Sequence, residues 1–217
     1  MTLLSLLVLI LSVIAHEVAH GYAANSLGDP TARLAGRLTL NPIKHIDPMG
    51  SIVLPALLIF SGSPILFGWA KPVPYNPYNL KPGRWSEALV AIAGSATNIL
   101  LAIMFGLIVR FGSTTLTMGG TPFLSETTLS FAATIAFINL FLGLFNLIPF
   151  PPLDGWTVLR SILPWHAEHR MSHFENQIRS MGTLALVLFL FFFSYVLSGP
   201  FFNLVSFIFW LITGARV

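Results

Sequence analysis

The sequence contains no cysteine in its 217 residues. This absence excludes a disulfide framework, a metal site built on thiolates and a cysteine nucleophile. Any metal ion that the chain binds must therefore be held by nitrogen and oxygen ligands.

Charged residues are also scarce, at 9% of the chain, whereas hydrophobic residues make up 55%. Soluble domains carry about 25% charged residues, so most of the surface of this chain cannot face water. We therefore expect an integral membrane protein in contact with the lipid bilayer. The net charge is only +3, and Lys and Arg are scattered between hydrophobic stretches, which argues against nucleic acid as a partner.

Long hydrophobic stretches predict the membrane-spanning helices. Residues 2–24, 85–111 and 127–148 are each long enough for one span. Residues 181–213 are too long for one span and are interrupted by Ser198, Gly199 and Pro200, so we expect a hairpin of two short spans there. The first stretch lacks a basic start and a small-residue cleavage site, so we do not expect a removable signal peptide.

The basic residues predict how these spans are oriented. Lys and Arg occur in the segments 27–44, 70–84 and 155–180 but not in 112–126, so the first three are expected to be cytoplasmic. Both flanks of the apolar segment 50–69 would then lie inside, which predicts a re-entrant hairpin that turns near residues 61–64. Residues 31–42 alternate polar and apolar side chains, which predicts one or two short strands, with an irregular interfacial loop as the alternative.

These features predict an all-α polytopic membrane protein with one membrane-embedded domain over residues 1–217. We expect a three-helix core up to about residue 160 and a C-terminal helical hairpin over about residues 181–214. A short β and re-entrant region is expected on the cytoplasmic side.

The first hydrophobic stretch ends in the polar sequence HEVAH, residues 16–20. His16 and His20 are four residues apart, so on a helix they share a face and can bind one ion. In the pattern H-E-x-x-H the imidazoles bind zinc and the glutamate, here Glu17, acts as a general base. The alternative is that these side chains bond to other helices or line a pore. Three uncompensated ionisable groups within a span are costly, which favours the metal site.

Two histidines leave a catalytic zinc site one protein ligand short. The sequence FNLIPFPPLDGW, residues 145–156, contains a candidate for the third ligand. Its three prolines prevent a regular helix, and Asp154 with Gly155 forms a tight turn that can direct a carboxylate inward. By itself, such a turn is most often only a turn.

HEVAH, together with Asn146, the prolines and the LDG run at 153–155, resembles the site-2 protease family of intramembrane zinc metalloproteases. The sequence AGSATNIL, which contains Gly94 and Asn98, is similar to a third pattern of that family. Ser95 and Trp156 depart from the proline and glycine that the family frequently has there. The resemblance covers roughly residues 1–160.

The resemblance implies an endopeptidase that cleaves within or near transmembrane segments of substrate proteins, in regulated intramembrane proteolysis. It implies one zinc ion per chain, Glu17 as the base and Asn146 as a polar group near the substrate carbonyl or in support of the site. The expected zinc ligands are His16, His20 and Asp154. We expect a multi-pass protein of the cell membrane with its site toward the cytoplasm and without a PDZ or CBS domain.

Two alternatives remain at this point. A membrane metal carrier or channel could use the same four polar side chains as an ion pathway. His166, His169 and His173 have helical spacing and could bind a second metal, although a solvated or interfacial helix face is the more ordinary explanation. The sequence predicts no oligomeric state.

Overall fold

The computed structural model describes residues 3–53, 56–57, 60, 70–83, 85–113 and 124–215. Within these ranges the chain is helical and contains no strand. The α-helices are α1 Leu3–Ser26, α2 Thr31–Leu34, α3 Ser86–Gly112, α4 Glu126–Asn146, α5 Asp154–Ile162, α6 Trp165–Ser180, α7 Thr183–Phe192 and α8 Ser198–Thr213. Short 3-10 turns lie at Pro42–His45 and Pro77–Asn79, and π-helical turns lie at Pro48–Val53 and Phe193–Leu197.

Four helical stretches are long and apolar enough to cross a membrane. They are Leu3–Ser26, Ser86–Gly112, Glu126–Asn146 and Val187–Thr213, with 24, 27, 21 and 27 residues. A helix needs about 20 apolar residues to span the hydrocarbon core. The prediction of an all-α integral membrane protein is therefore confirmed.

Helix α3 lies at the centre of the bundle, where it packs against α1, α4, α5 and α8. Small residues permit these close approaches, as is usual between helices in a membrane. A Cβ atom on Gly106 of α3 would lie 2.5 Å from Ile212 of α8, and one on Gly143 of α4 would lie 3.0 Å from the Ser95 carbonyl oxygen of α3. The central helix therefore contacts every element that contributes to the candidate site.

The C-terminal hairpin predicted over residues 181–214 is wrong. Helix α7, the π-helical turn Phe193–Leu197 and α8 follow one another without a reversal of the chain. Pro200 has no N–H group, and its ring crowds the carbonyl four residues earlier. The wider π-helical turn that precedes it accommodates this proline locally, so the helix continues. One stripe of buried side chains then packs along α3 and α4, and it comprises Phe189, Phe193, Phe201, Val205 and Phe209.

The strands predicted within residues 31–42 are also wrong. The Asp29 carboxylate accepts hydrogen bonds from the backbone N–H and the hydroxyl of Thr31, and this local turn leads into α2. Farther on, the Arg37 guanidinium donates to the carbonyl oxygens of Lys71 and Pro72 at 2.7 and 3.2 Å. The segment is therefore joined to its neighbour through a side chain, whereas a β-ladder would use backbone groups. The re-entrant turn predicted near residues 61–64 lies outside the described residues.

Asp29 connects the end of α1 to the segment that leads into α3. Its carboxylate is fully buried and also accepts hydrogen bonds from the Asn76 backbone and the Asn79 side chain, at 2.7 and 2.9 Å. Burial opposes ionisation of Asp29, but the hydrogen bonds from Thr31, Asn79 and Asn76 outweigh it and hold its pKa below the usual value. The ionised form of Asp29 thus stabilises this junction.

Candidate metal centre

Two distant parts of the chain meet at the candidate metal centre. His16 and His20 lie one turn apart on α1, and Asp154 is the first residue of α5. The Nε2 atoms of the two histidines are 3.0 Å apart, and Asp154 Oδ2 lies 3.2 Å from that of His16 and 3.4 Å from that of His20. The structure therefore brings together the three side chains predicted as metal ligands.

Each imidazole is oriented through its other ring nitrogen. His20 Nδ1 lies 2.7 Å from the carbonyl oxygen of Val90, which can only accept a hydrogen bond, so Nδ1 carries the proton. His16 Nδ1 lies 2.7 Å from Asn98 Oδ1, which also accepts because the amino group of Asn98 donates elsewhere. In the neutral rings, both Nε2 atoms then present lone pairs.

These two lone pairs and the Asp154 carboxylate converge on one small volume. Three electron-pair donors at 3.0–3.4 Å repel one another unless a cation or a proton lies among them. Tetrahedral zinc with bonds of about 2.0–2.2 Å requires ligand atoms about 3.3–3.6 Å apart, close to the observed separations of 3.0–3.4 Å. The donor set of two imidazoles and a carboxylate also suits this metal.

Helix α3 approaches both histidines closely at Gly94. A Cβ atom at this position would lie 2.5 Å from His20 Nε2 and 2.7 Å from His16 Cε1. Contacts below 3.0 Å require one partner to move, and both rings are held by hydrogen bonds from the same helix. Only glycine therefore fits beside the two imidazoles.

A buried polar network extends from His16 across three helices. Asn98 Nδ2 donates to the Ser12 carbonyl oxygen at 3.2 Å and to Asn139 Oδ1 at 2.8 Å. Asn139 Nδ2 in turn donates to Ser12 Oγ and to the carbonyl oxygen of Ile135, both at 2.9 Å. Asn98 and Asn139 are 0% and 1% exposed. The network thus fixes which end of the Asn98 amide faces His16.

Asp154 is positioned by its neighbours on α3 and α5. Ser95 Oγ donates a hydrogen bond of 3.2 Å to Asp154 Oδ2. The next residue, Gly155, lies so close to the end of α4 that a Cβ atom there would be 2.1 Å from the Leu147 carbonyl oxygen. Glycine at this position allows α5 to begin directly against α4, which places the carboxylate at the site.

Charged side chains hold the other end of α5. Arg160 forms an ion pair with Glu87, the second residue of α3, and another with Glu175 of α6 at 3.3 Å. Glu175 also accepts hydrogen bonds from Trp156 at 3.1 Å and from Arg179 at 2.8 Å. These contacts join α5 to α3, which carries the groups that orient both histidines.

Glu17, the predicted base, contacts a segment outside the helices. Its Oε2 atom accepts a hydrogen bond of 2.9 Å from the backbone N–H of Val73. Glu17 follows His16 directly on α1 and does not belong to the cluster of possible ligands. This placement separates it from the ligand set, and its role as a base stays a prediction.

The other predicted residues occupy less central positions. Asn146 is the last residue of α4, and its amide donates to the Leu142 carbonyl oxygen at 3.0 Å. His173 is exposed on α6. His45, which was not among the predicted site residues, ends the turn Pro42–His45 and is 2% exposed, with its Nε2 atom bonded to the Thr39 carbonyl oxygen. The role of Asn146 stays a prediction.

Asn139 and the Ser95 hydroxyl were not identified as site residues from the sequence. Ser95 was noted only as a departure from a family pattern, yet its hydroxyl bonds to Asp154. Asn139 did have a signal in the sequence, because it is a polar amide in the middle of an apolar helix of 21 residues. Polar side chains in a membrane span are costly and usually functional.

Residues 4–190 match the family described as "Peptidase family M50". The protein of Bacillus subtilis (strain 168) named "Putative zinc metalloprotease YwhC" is 41% identical over 169 residues, which cover 77% of this chain and 73% of that protein.

Two mycobacterial proteins named "Putative zinc metalloprotease Rip2" are also similar. The protein from Mycolicibacterium smegmatis (strain ATCC 700084 / mc(2)155) is 30% identical over 69% of this chain and 53% of its own length. The protein from Mycobacterium tuberculosis (strain ATCC 25618 / H37Rv) is 29% identical over 92% of this chain and 70% of its own length. No solved structure matches the chain significantly.

Proposed function

The chain belongs to peptidase family M50, the site-2 protease family, and from this membership we propose that it is an intramembrane zinc endopeptidase. The proposed zinc ligands are His16, His20 and Asp154, with one zinc ion per chain. The proposed base is Glu17. The relatives named above as zinc metalloproteases support zinc as the metal.

One observation carries this proposal. Two imidazole lone pairs and one carboxylate oxygen converge within 3.4 Å, and the hydrogen bonds that both rings donate to acceptors on α3 hold them in the tautomer that a metal needs. If these side chains only packed the bundle, we would not expect three electron-pair donors to face one another in an apolar environment. Metal binding explains the arrangement, because it gives all three atoms a common partner.

Bound zinc would supply a Lewis acid for a water molecule and for the scissile carbonyl. The Glu17 carboxylate accepts one proton as water attacks the carbonyl carbon. It then delivers this proton to the nitrogen that leaves as the C–N bond breaks. One water is consumed for each peptide bond cleaved. Asn146 is the proposed contact for the substrate carbonyl.

The proposed substrates are transmembrane segments of other proteins, in regulated intramembrane proteolysis. A helical substrate must unwind locally, since its amides are otherwise hydrogen-bonded within the helix. We place the site toward the cytoplasmic side of the cell membrane. The second half of α1, the first half of α3 and the start of α5 contribute to the site, and the basic segments 27–44, 70–84 and 155–180 adjoin these ends.

The test is cleavage of a single-span substrate in reconstituted vesicles, with zinc measured in the same samples. Glu17→Gln should keep its zinc and lose activity by about 10²-fold or more, the usual scale for general acid-base catalysis. Glu126→Gln is the matched control, because this exposed glutamate starts α4.

The double variant His16→Ala, His20→Ala should contain no zinc. Near-normal proteolysis by a zinc-loaded Glu17→Gln protein would rule out the proposed base. Zinc flux into sealed vesicles without any proteolysis would instead support the metal carrier.

A further inference from the structure

A segment without helix or strand, residues 71–76, crosses the face of α1 that carries Glu17; we call it the strap. In the sequence it follows the apolar segment 50–69 and precedes α3. Val73 at its middle is 5% exposed. A Cβ atom on Gly21 would lie 2.8 Å from Val73 Cγ1, so the strap packs on α1 one turn beyond Glu17.

Hydrogen bonds hold the strap in place along its length. The Lys71 N–H donates to the His45 carbonyl oxygen at 2.9 Å, and the Asn76 N–H donates to Asp29 at 2.7 Å. Between them, the Val73 N–H donates to Glu17 at 2.9 Å. The Arg37 guanidinium also donates to two of the strap's carbonyl oxygens, those of Lys71 and Pro72. The strap is therefore anchored at both ends independently of Glu17.

We propose that the backbone N–H of Val73 is a positioning group for the Glu17 carboxylate. The inference rests on the proposed function, in which Glu17 is the base. Glutamate has three side-chain torsions, and a fixed Oε2 atom restricts where Oε1 can point. A carboxylate accepts several hydrogen bonds, so the contact with Val73 leaves lone pairs free to receive a proton. The strap thereby prepares the base for its reaction.

The strap's sequence suits this task. Pro72 and Pro74 lack N–H groups, which leaves Val73 as a single donor between them. A residue before proline also favours extended backbone, so Pro74 restricts the conformations that Val73 can adopt. Gly21 contributes from α1, because a side chain at that position would displace both Val73 and Leu38.

Hydrogen exchange in the metal-free protein tests the contact without requiring activity. Two of the strap's six residues are prolines, which have no amide hydrogen. A peptide covering the strap therefore reports on few amides. In Glu17→Ala, exchange at Val73 should accelerate by about tenfold or more, the scale expected for a hydrogen bond to a charged group. Glu17→Gln keeps an acceptor and should retain most of the protection, and Glu126→Ala should match the wild type. Unchanged exchange in Glu17→Ala would overturn the proposal.

Kinetics test the role of the contact. Val73→Pro removes the N–H donor within a segment that already carries two prolines, whereas Val73→Ala removes side-chain atoms and keeps the donor. We expect Val73→Pro to lower kcat by about tenfold or more with KM and zinc content unchanged, and Val73→Ala to retain most of kcat. Equal kcat values for the two variants, or loss of zinc from Val73→Pro alone, would contradict a positioning role.

The two proposals fail in different ways. If the wild-type protein shows no zinc-dependent cleavage, the proposed function is wrong. The catalytic role of Val73 is then wrong as well, even if hydrogen exchange shows that Val73 contacts Glu17. If the wild-type protein cleaves its substrate and Val73→Pro is as active as Val73→Ala, the proposed function stands and the inference about the strap is overturned.

Discussion

Replacing Asn98 by leucine should weaken zinc binding, although Asn98 is not one of the three proposed ligands. Leucine has the same branched shape and the same number of side-chain heavy atoms, so the main change is the loss of polar atoms. The Nδ1–H of His16 loses its acceptor at 2.7 Å, and Asn139 Oδ1 loses its donor at 2.8 Å. Asn98 is 0% exposed, so both groups remain buried in the variant and water cannot readily replace the lost partner. The His16 ring is then free to turn away from the metal.

The size of the effect follows from the position of Asn98 behind a ligand. Loss of such an outer partner typically costs 10–100-fold in metal affinity, or about 1.4–2.7 kcal/mol. A separate cost falls on the metal-free protein, because each buried polar group left unpaired costs about 1–3 kcal/mol. Asn98→Asp should lose less zinc affinity than Asn98→Leu, since its carboxylate still accepts the hydrogen bond from His16.

The assay is equilibrium competition for zinc between the purified protein and a chromophoric chelator in detergent. Thr97→Ala is the matched control, because the hydroxyl of Thr97 donates to the Ala93 carbonyl oxygen within the same helix and has no other partner among the described residues. Thermal unfolding of the metal-free proteins separates a loss of stability from a loss of affinity. Wild-type zinc affinity in a folded Asn98→Leu protein would refute the argument that this amide orients His16.

Three further predictions follow from single contacts. Gly94→Ala places a methyl group within 2.7 Å of both imidazoles, so metal analysis should find little zinc, while Gly199→Ala, with nothing within 4 Å, should keep it. Asp29→Asn should lower the melting temperature at pH 7. Because its pKa is lowered in the folded state, the difference from wild type should shrink as pH falls below the ordinary value of 3.8, and a constant difference down to pH 2 would contradict this. Arg160→Gln leaves its two glutamate partners less neutralised and should destabilise the protein by about 1–3 kcal/mol in denaturant unfolding, whereas the exposed Arg170→Gln should change little.

The first three spans and the first two proposed ligands could be predicted because both depend on local features. Hydrophobic length predicts a span, and a helix places residues four apart on one face whatever surrounds it. The same local reasoning failed at Pro200, since a proline predicts a break but a π-helical turn accommodates it. It also failed at residues 31–34, where alternation suggested a strand and the Asp29 carboxylate starts a helical turn.

The sequence by itself determined the composition of the centre: two histidines on one helix face, an adjacent glutamate and an aspartate in a proline-rich turn. Only the tertiary structure decided how these groups are oriented. The ring tautomers depend on Val90 and Asn98, and the direction of the Asn98 amide depends on Asn139, all on helices distant in sequence. Hydrogen bonds act through space, so a side chain's proton and orientation are set by whichever donor or acceptor the packed helices bring to it.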